Sequence, residues 1–317
     1  MKRFIPLLLL ALTFTTAATA KKKTVTIRLV ETSDVHGSFM PYDYTNRTPK
    51  RGSLARVDTY IRNARAQHGH NVILLDNGDL LQGQPICYYY NYVATDRKNI
   101  AAEVTNFMGY DIQNIGNHEI ETGHACYDKW IGETKAAVLG ANIMSTATGE
   151  PYVKPYTILQ RDGVKIAVLG MNTAAIPSWL AEELWSGMTF EDMLDATRKW
   201  VKHIADNEKP DLMVGLFHAG LDGGIVTDSY EENPTARIAR EVPGFDIIFF
   251  GHDHSKYCTE TVNNQGGKVW MLNPANDALY VADAEVTLTI DDKGRRGTRL
   301  LDKQITGKIA SVEDEPL

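Results

Sequence analysis

"TVTIRLVETSDVHGSF" (residues 24–39) decides how the chain is read. Val25, Ile27 and Leu29 alternate with Thr26, Arg28 and Val30, and β-branched residues dominate, so the stretch opens as a strand. At Asp34 the pattern stops. Asp34 and His36 stand two residues apart, with Gly37 directly behind. In extended chain, side chains at i and i+2 leave the same face. The spacing therefore predicts that Asp34 and His36 converge on one point while Gly37 turns the chain away. Asp and Gly are also common in ordinary solvated turns, so the meaning of this pair depends on how the other strands end.

Six more apolar runs recur, and most end in a polar cluster: "NVILLDNGD" (71–79), "YDIQNIGNHE" (110–119), "AAVLGANIM" (136–144), "VKIAVLGMNT" (164–173), "DLMVGLFHAG" (211–220) and "FDIIFFGHDHS" (245–255). Continuous hydrophobicity predicts strands buried on both faces. Helical spacing lies between them. It places Leu54, Val57 and Ile61 on one face, then Ile100, Val104 and Phe107, then Phe190, Met193, Leu194, Thr197, Val201 and Ile204. Past position 255 the helices stop, and "KVWMLNPAN", "YVADAEVTLTID" and "TRLLDKQIT" read as antiparallel strands. βα units followed by a β-rich part predict an α/β fold: two packed mixed sheets flanked by helices, an α/β/β/α sandwich.

Composition is that of an ordinary globular chain: 317 residues, 43% hydrophobic and 23% charged. A net charge of −7 argues against a surface that wraps a nucleic-acid polymer. Lys2 and Arg3 precede "FIPLLLLALTF", and "ATA" follows at 18–20. That pattern reads as a cleaved signal peptide over residues 1–20, too short for a membrane span. Residues 21–317 are then expected to be periplasmic or secreted, with no membrane span. Of Cys87, Cys126 and Cys258, two could pair in such a compartment, and the spacing does not say which. No Cys-x-x-Cys occurs, so a thiolate zinc site is not indicated.

Ligand-type residues sit where the runs end. Asp79 closes "LLDNGD", Asn117 and His118 close "NIGNHE", His218 closes "GLFHAG", and His252 and His254 lie in "GHDH". Ligands of open α/β sheets gather at the carboxyl ends of strands. Each cluster alone has a plain explanation: a turn, a helix cap at Asn117, a half-buried imidazole. Their joint recurrence at strand ends, in this order, does not.

Together "DVHG", "NGD", "GNHE", "FHAG" and "GHDH" resemble the signature of the calcineurin-like metallophosphoesterases. "GSLARVDTYIR", "LLDNGDLLQGQP" and "GNHEIETG" are similar to its 5′-nucleotidase branch. The resemblance covers nearly all of residues 24–290. It implies that Asp34, His36 and His254 hold a first metal, that Asp79 bridges, and that Asn117, His218 and His252 complete a second. The two divalent ions would be Mn, Zn, Fe or Co, since the set mixes oxygen and nitrogen without thiolate. Two such ions against two carboxylates and a bridging hydroxide leave a net positive charge, suited to phosphate. His118 matches the family's catalytic histidine. The family's partner to it is an Asp three residues on, and here that position is Glu121; Glu119 fits the role less well.

The implied activity is hydrolysis of phosphate esters, expected to be nucleotides, by in-line attack of the bridging hydroxide. A thiohydrolase of the same superfamily and a non-catalytic metal-binding subunit are the alternatives. The family's full-length nucleotidases stack the base in a C-terminal domain, which these 317 residues have no room for. The resemblance thus leaves recognition either to a separate polypeptide carrying that nucleotide-binding domain or to an open site. The aromatics of "CYYYNY" (87–92), Trp179 and Trp185 follow likely loop positions, and such rings serve more often as half-buried packing.

Overall fold

The computed structural model describes residues 21–292 and 298–317; the expected signal peptide lies outside the described residues. The opening strand runs over Lys21–Thr32 (β1). It is followed by Val72–Asp76 (β2), Ile112–Asn114 (β3) and Ala137–Leu139 (β4). Next come Tyr156–Arg161 (β5), Val164–Asn172 (β6), Leu212–His218 (β7) and Ile247–Phe250 (β8). Lys256–Val262 (β9), Lys268–Pro274 (β10), Tyr280–Asp292 (β11) and Thr298–Ser311 (β12) close the chain. One sheet has the order β12-β11-β1-β2-β3-β4 and the other β9-β10-β8-β7-β6-β5. Both are mixed, as expected: β1 runs parallel to β2 and antiparallel to β11. The C-terminal strands are not all antiparallel, however, because β10 pairs parallel with β8 and antiparallel only with β9.

The alternation in β1 assigns its faces. Val25, Ile27 and Leu29 enter the core between the sheets, with Ile73, Leu75, Val168, Val214 and Phe249, while Val30 faces the helices. Burying each such side chain contributes about 1.5–3 kcal/mol. Leu54–His68 (α1), Ile100–Met108 (α2), Asn117–Glu121 (α3) and His124–Glu133 (α4) supply helices, and α1, α2 and α4 cover the first sheet. Met193–Asn207 (α5) and Thr235–Glu241 (α6) cover the second. Ser53, Asn99 and Asp192 cap α1, α2 and α5 through their side-chain oxygens. The face expected for α2 is displaced: Ala101, Ala102, Thr105 and Met108 are buried, and Phe107 is 75% exposed. Small Ala residues let that helix approach closely, which outweighs the larger side chains of the neighbouring stripe. Phe190 belongs to the short strand Met188–Phe190, ahead of the helix rather than in it.

Just below the metal-facing strand ends, the space between the sheets turns polar. Asn77, Asn114, Asn142 and Asn172 are fully buried. Asn114 Nδ2 donates to Met171 O (2.7 Å), Asn77 Nδ2 to Phe217 O (2.9 Å) and Asn142 Nδ2 to Asn172 O (2.7 Å). These bonds tie β2 and β3 to β6 and β7, so the strand ends of the two sheets are held in one register. No disulfide forms: Cys87 and Cys126 are buried thiols and Cys258 is half-buried. Among the described residues, no helix is long and apolar enough to cross a membrane.

Candidate metal centre

Asp34, Asp79, Asn117, His118, His252 and His254 follow strand ends, and His218 is the last residue of β7. Because β1, β2 and β3 are neighbours in one sheet and β7 and β8 in the other, all of them meet at one edge of the sandwich. The convergence does not come from the pleat, as the Asp-x-His spacing predicted. Asp34 (φ 51°), His36 (φ 49°), Asp79 (φ 59°), His252 (φ 75°) and His254 (φ 54°) all adopt left-handed backbone. Such non-glycine conformations cost of order 1–3 kcal/mol each and concentrate at functional sites. The Asp34 and His36 amides donate to Gly78 O (3.0 Å) and Asp79 O (2.9 Å), which holds the two strained loops together.

Glu119 supplies the rest of that support. It is fully buried, and its carboxylate accepts from the amides of Gly116 (2.7 Å), Asp79 (2.7 Å), Leu80 (2.7 Å) and Leu81 (3.1 Å). It therefore clamps the 77–81 loop to the start of α3 and is not the partner of His118. The loops touch so closely that a Cβ on Gly78 would lie 2.5 Å from Gly116 N, and one on Gly116 would lie 2.3 Å from Asp79 Oδ1. The cap of α3 is Gly116; Asn117 is its first residue, not its cap.

Asp79, Asn117, His218 and His252 form a deep group. His218 Nε2 is 3.1 Å from Asp79 Oδ2 and 3.1 Å from Asn117 Oδ1, and His252 Nδ1 is 2.8 Å from the same amide oxygen. The other atom of each group is committed elsewhere. His218 Nδ1 bonds Asn77 O (2.8 Å), His252 Nε2 bonds Glu232 Oε1 (3.2 Å), and Asp79 Oδ1 accepts from the His118 amide (2.8 Å). Burial opposes charge here, yet His218 holds the Asp79 carboxyl far below the usual range. Against the same desolvation, Asp79 pushes the His218 imidazolium up to about 10.

Asp34, His36 and His254 form an outer group. His36 Nε2 faces His254 Nε2 at 3.0 Å. Asp34 Oδ2 accepts from Ser33 Oγ (2.6 Å) and the His252 amide (3.0 Å). Asp34 Oδ1 is buried without a hydrogen bond; the nearby His254 Nε2, at 3.4 Å, makes only an ionic contact. Asp34, His36 and His254, then Asp79, His218 and His252, and also His36, Asp79 and His118, each bring three donor atoms within 4.8 Å of one another. A bare buried carboxylate oxygen, with imidazole nitrogens and an amide oxygen at mutual spacings near 3 Å, fits divalent Mn, Zn, Fe or Co.

His118 stands over the shared carboxylate, its Nε2 3.9 Å from Asp79 Oδ2, and its Nδ1 bonds Glu121 Oε2. The extra methylene of glutamate still reaches the ring. Desolvation lowers the His118 pKa, but the Glu121 bond and the Asp79 charge more than reverse it, so His118 stays protonated above the usual imidazole value. The His118 bond in turn lowers Glu121. Every residue expected at the site is thus brought to it. Glu232 was missed, since it lies in a loop twenty positions before His252 with no motif around it. Glu119 could have been read as a capping-box acid from its place three residues after Gly116.

The calcineurin-like phosphoesterase family model matches residues 27–256. A 2′,3′-cyclic-nucleotide 2′-phosphodiesterase/3′-nucleotidase of Yersinia enterocolitica is 32% identical over 81% of this chain and 41% of its own length. A 5′-nucleotidase of Vibrio cholerae is 30% identical over 76% of this chain and 42% of its own. The chain thus spans about two fifths of the length of these relatives. The crystal structure of the calcineurin-like phosphoesterase YfkN from Bacillus subtilis superposes with a TM-score of 0.77, covering 92% of each chain at 24% identity, which shows the shared fold.

Proposed function

From a chain that belongs to the calcineurin-like phosphoesterase family, we propose a phosphoesterase with two divalent ions that hydrolyses nucleotides, 2′,3′-cyclic, 3′- or 5′-, outside the cytoplasmic membrane. One observation carries the reading: Asp79 lies within donor distance of His36 of the outer group as well as of His218 and His252 of the deep group, with His118, bonded to Glu121, beside it. The outer ion would rest on Asp34, His36, Asp79 and His254, and the deep ion on Asp79, Asn117, His218 and His252. When bound, such a pair clamps the attacking and leaving oxygens of an in-line displacement and lowers the pKa of water.

The chain's own groups do the rest. His118 Nε2 faces the reacting phosphoryl group, stabilises its growing negative charge and gives its proton to the leaving oxygen. Glu121 keeps Nδ1 protonated and the ring oriented. Asn117, a neutral amide, contributes a ligand oxygen without cancelling the positive charge that attracts phosphate. The location outside the membrane is supported by the basic, apolar and small-residue pattern of residues 1–20.

The test is phosphate release from a panel of cyclic, 3′- and 5′-nucleotides by the purified chain, with and without Mn²⁺. Metal-dependent release is expected. A chain that elemental analysis shows to hold two ions, yet releases no phosphate from any of them, overturns the reading.

A further inference from the structure

Of the five tryptophans, four turn inward. Trp130 is fully buried in the helix-side core, and Trp200 and Trp270 pack against apolar clusters. Trp185 donates its Nε1 to Leu180 O (3.1 Å) and meets Phe190 edge-on, so it is packing. Trp179 differs. It is 39% exposed, and its indole lies over the His252 imidazole, with centroids 5.4 Å apart and planes 32° apart. The rest of the ring stays open to solvent.

The ring is also held in place. Ile176 is buried, Pro177 is the second residue of the short helix Ile176–Trp179, and Ser178 Oγ bonds the Tyr230 hydroxyl. Tyr230 sits in the same loop as Glu232, which bonds His252. The indole and a candidate ligand of the deep ion therefore rest on one support. The tyrosines of 88–92 meet one another instead, Tyr88 with Tyr92 at a tilt and Tyr89 with Tyr90 edge-on.

We propose that the Trp179 indole is the platform on which the substrate's nucleobase stacks, an inference that rests on the nucleotide phosphoesterase reading above. A rigid π-surface next to a phosphate-binding centre meets the needs of a flat base one sugar away from its phosphate. Stacking tolerates any base, so the site selects for a base rather than among bases. The chain then recognises the base with its own residue, where the sequence left recognition to either a separate polypeptide or an open site.

The experiment is equilibrium dialysis of adenosine against the full chain. Adenosine carries no phosphate, so its binding is independent of turnover. Trp179→Ala is expected to weaken it by roughly 5- to 100-fold, and Trp179→Phe by no more than about threefold. The ratio of kcat/KM for adenosine monophosphate to that for ribose phosphate should fall by a similar factor in Trp179→Ala. Metal content is measured alongside, and two retained ions are expected. Wild type that does not bind adenosine overturns the platform, as does equal binding by Trp179→Ala or an unchanged ratio. A chain that binds adenosine through Trp179 but releases no phosphate would instead sink the phosphoesterase reading and leave the platform standing.

Discussion

The two halves of the centre are built differently. In the deep half each donor is left over after its neighbouring atom has been committed: His218 to Asn77, His252 to Glu232, Asp79 to the His118 amide. Asp79 favours the protonated form of His218, whose Nε2 faces its carboxylate. In the outer half, Asp34 Oδ1 has no hydrogen bond, two imidazoles face each other, and the His254 side chain is 43% exposed against none for His218. Hydrogen bonds therefore orient both deep imidazoles, while in the outer half they fix Asp34 through Oδ2 and leave His36 and His254 facing each other. Supporting bonds of this kind are worth 10- to 100-fold in metal affinity in general.

Removing what the halves share is expected to have the largest effect. Asp79→Asn should empty both halves and lower activity by roughly 10⁴-fold or more, the size of several kcal/mol of lost charge stabilisation. Elemental analysis checks it; an active variant with two ions would mean that the halves do not share that carboxylate. His118→Ala comes next, with kcat down roughly 10²–10⁴-fold and metal content unchanged, because His118, though within donor reach of His36 and Asp79, is bonded through Nδ1 to Glu121 and the other seven residues suffice as donors. Equal loss of metal and activity would make His118 a ligand.

The asymmetry has its own tests. Graded chelation should release one ion well before the other, and His254→Ala should lose only the first. Glu232→Gln should weaken the deep ion by roughly 10- to 100-fold and spare the outer one. Simultaneous loss in either experiment breaks the distinction. Filling the deep half must also expel the His218 proton. Below about 10, where that imidazolium is held, deep-site affinity should climb about tenfold per pH unit if one proton leaves, read as proton release in a weakly buffered titration.

Glu121→Gln should have the smallest effect, a roughly tenfold fall in kcat. Glu121 raises the His118 pKa, and a proton donor fails as pH rises through its pKa. The alkaline fall of the pH profile should therefore move to lower pH in the variant. A profile that does not move would take Glu121 out of the pair.

The legible parts of the fold were those that local pattern controls. Continuous apolar runs such as "VKIAVLGMNT" read as strands covered on both faces, and Val164–Asn172 is buried along nearly all its length. The buried face of Ile100–Met108 was not legible, because Ala101 and Ala102 pack by closeness rather than by size. The ligand residues could be named from strand ends and motif order, but their backbone could not. Left-handed φ at Asp34, Asp79 and His252 is strain that no residue choice in the sequence announces, and it persists only because neighbouring loops and the Glu119 clamp hold it.

By itself, then, the sequence determined the layered α/β architecture and the residue types of the centre, since hydrophobic periodicity and donor chemistry are properties of the chain. Tertiary structure decided the rest. It made Glu119 a clamp and Glu121 the partner of His118, placed Glu232 behind His252, and separated the exposed Trp179 from the half-buried Trp185. Each of those outcomes depends on what another segment, distant in sequence, brings within hydrogen-bonding or van der Waals reach, and such proximity exists only once the two sheets have packed.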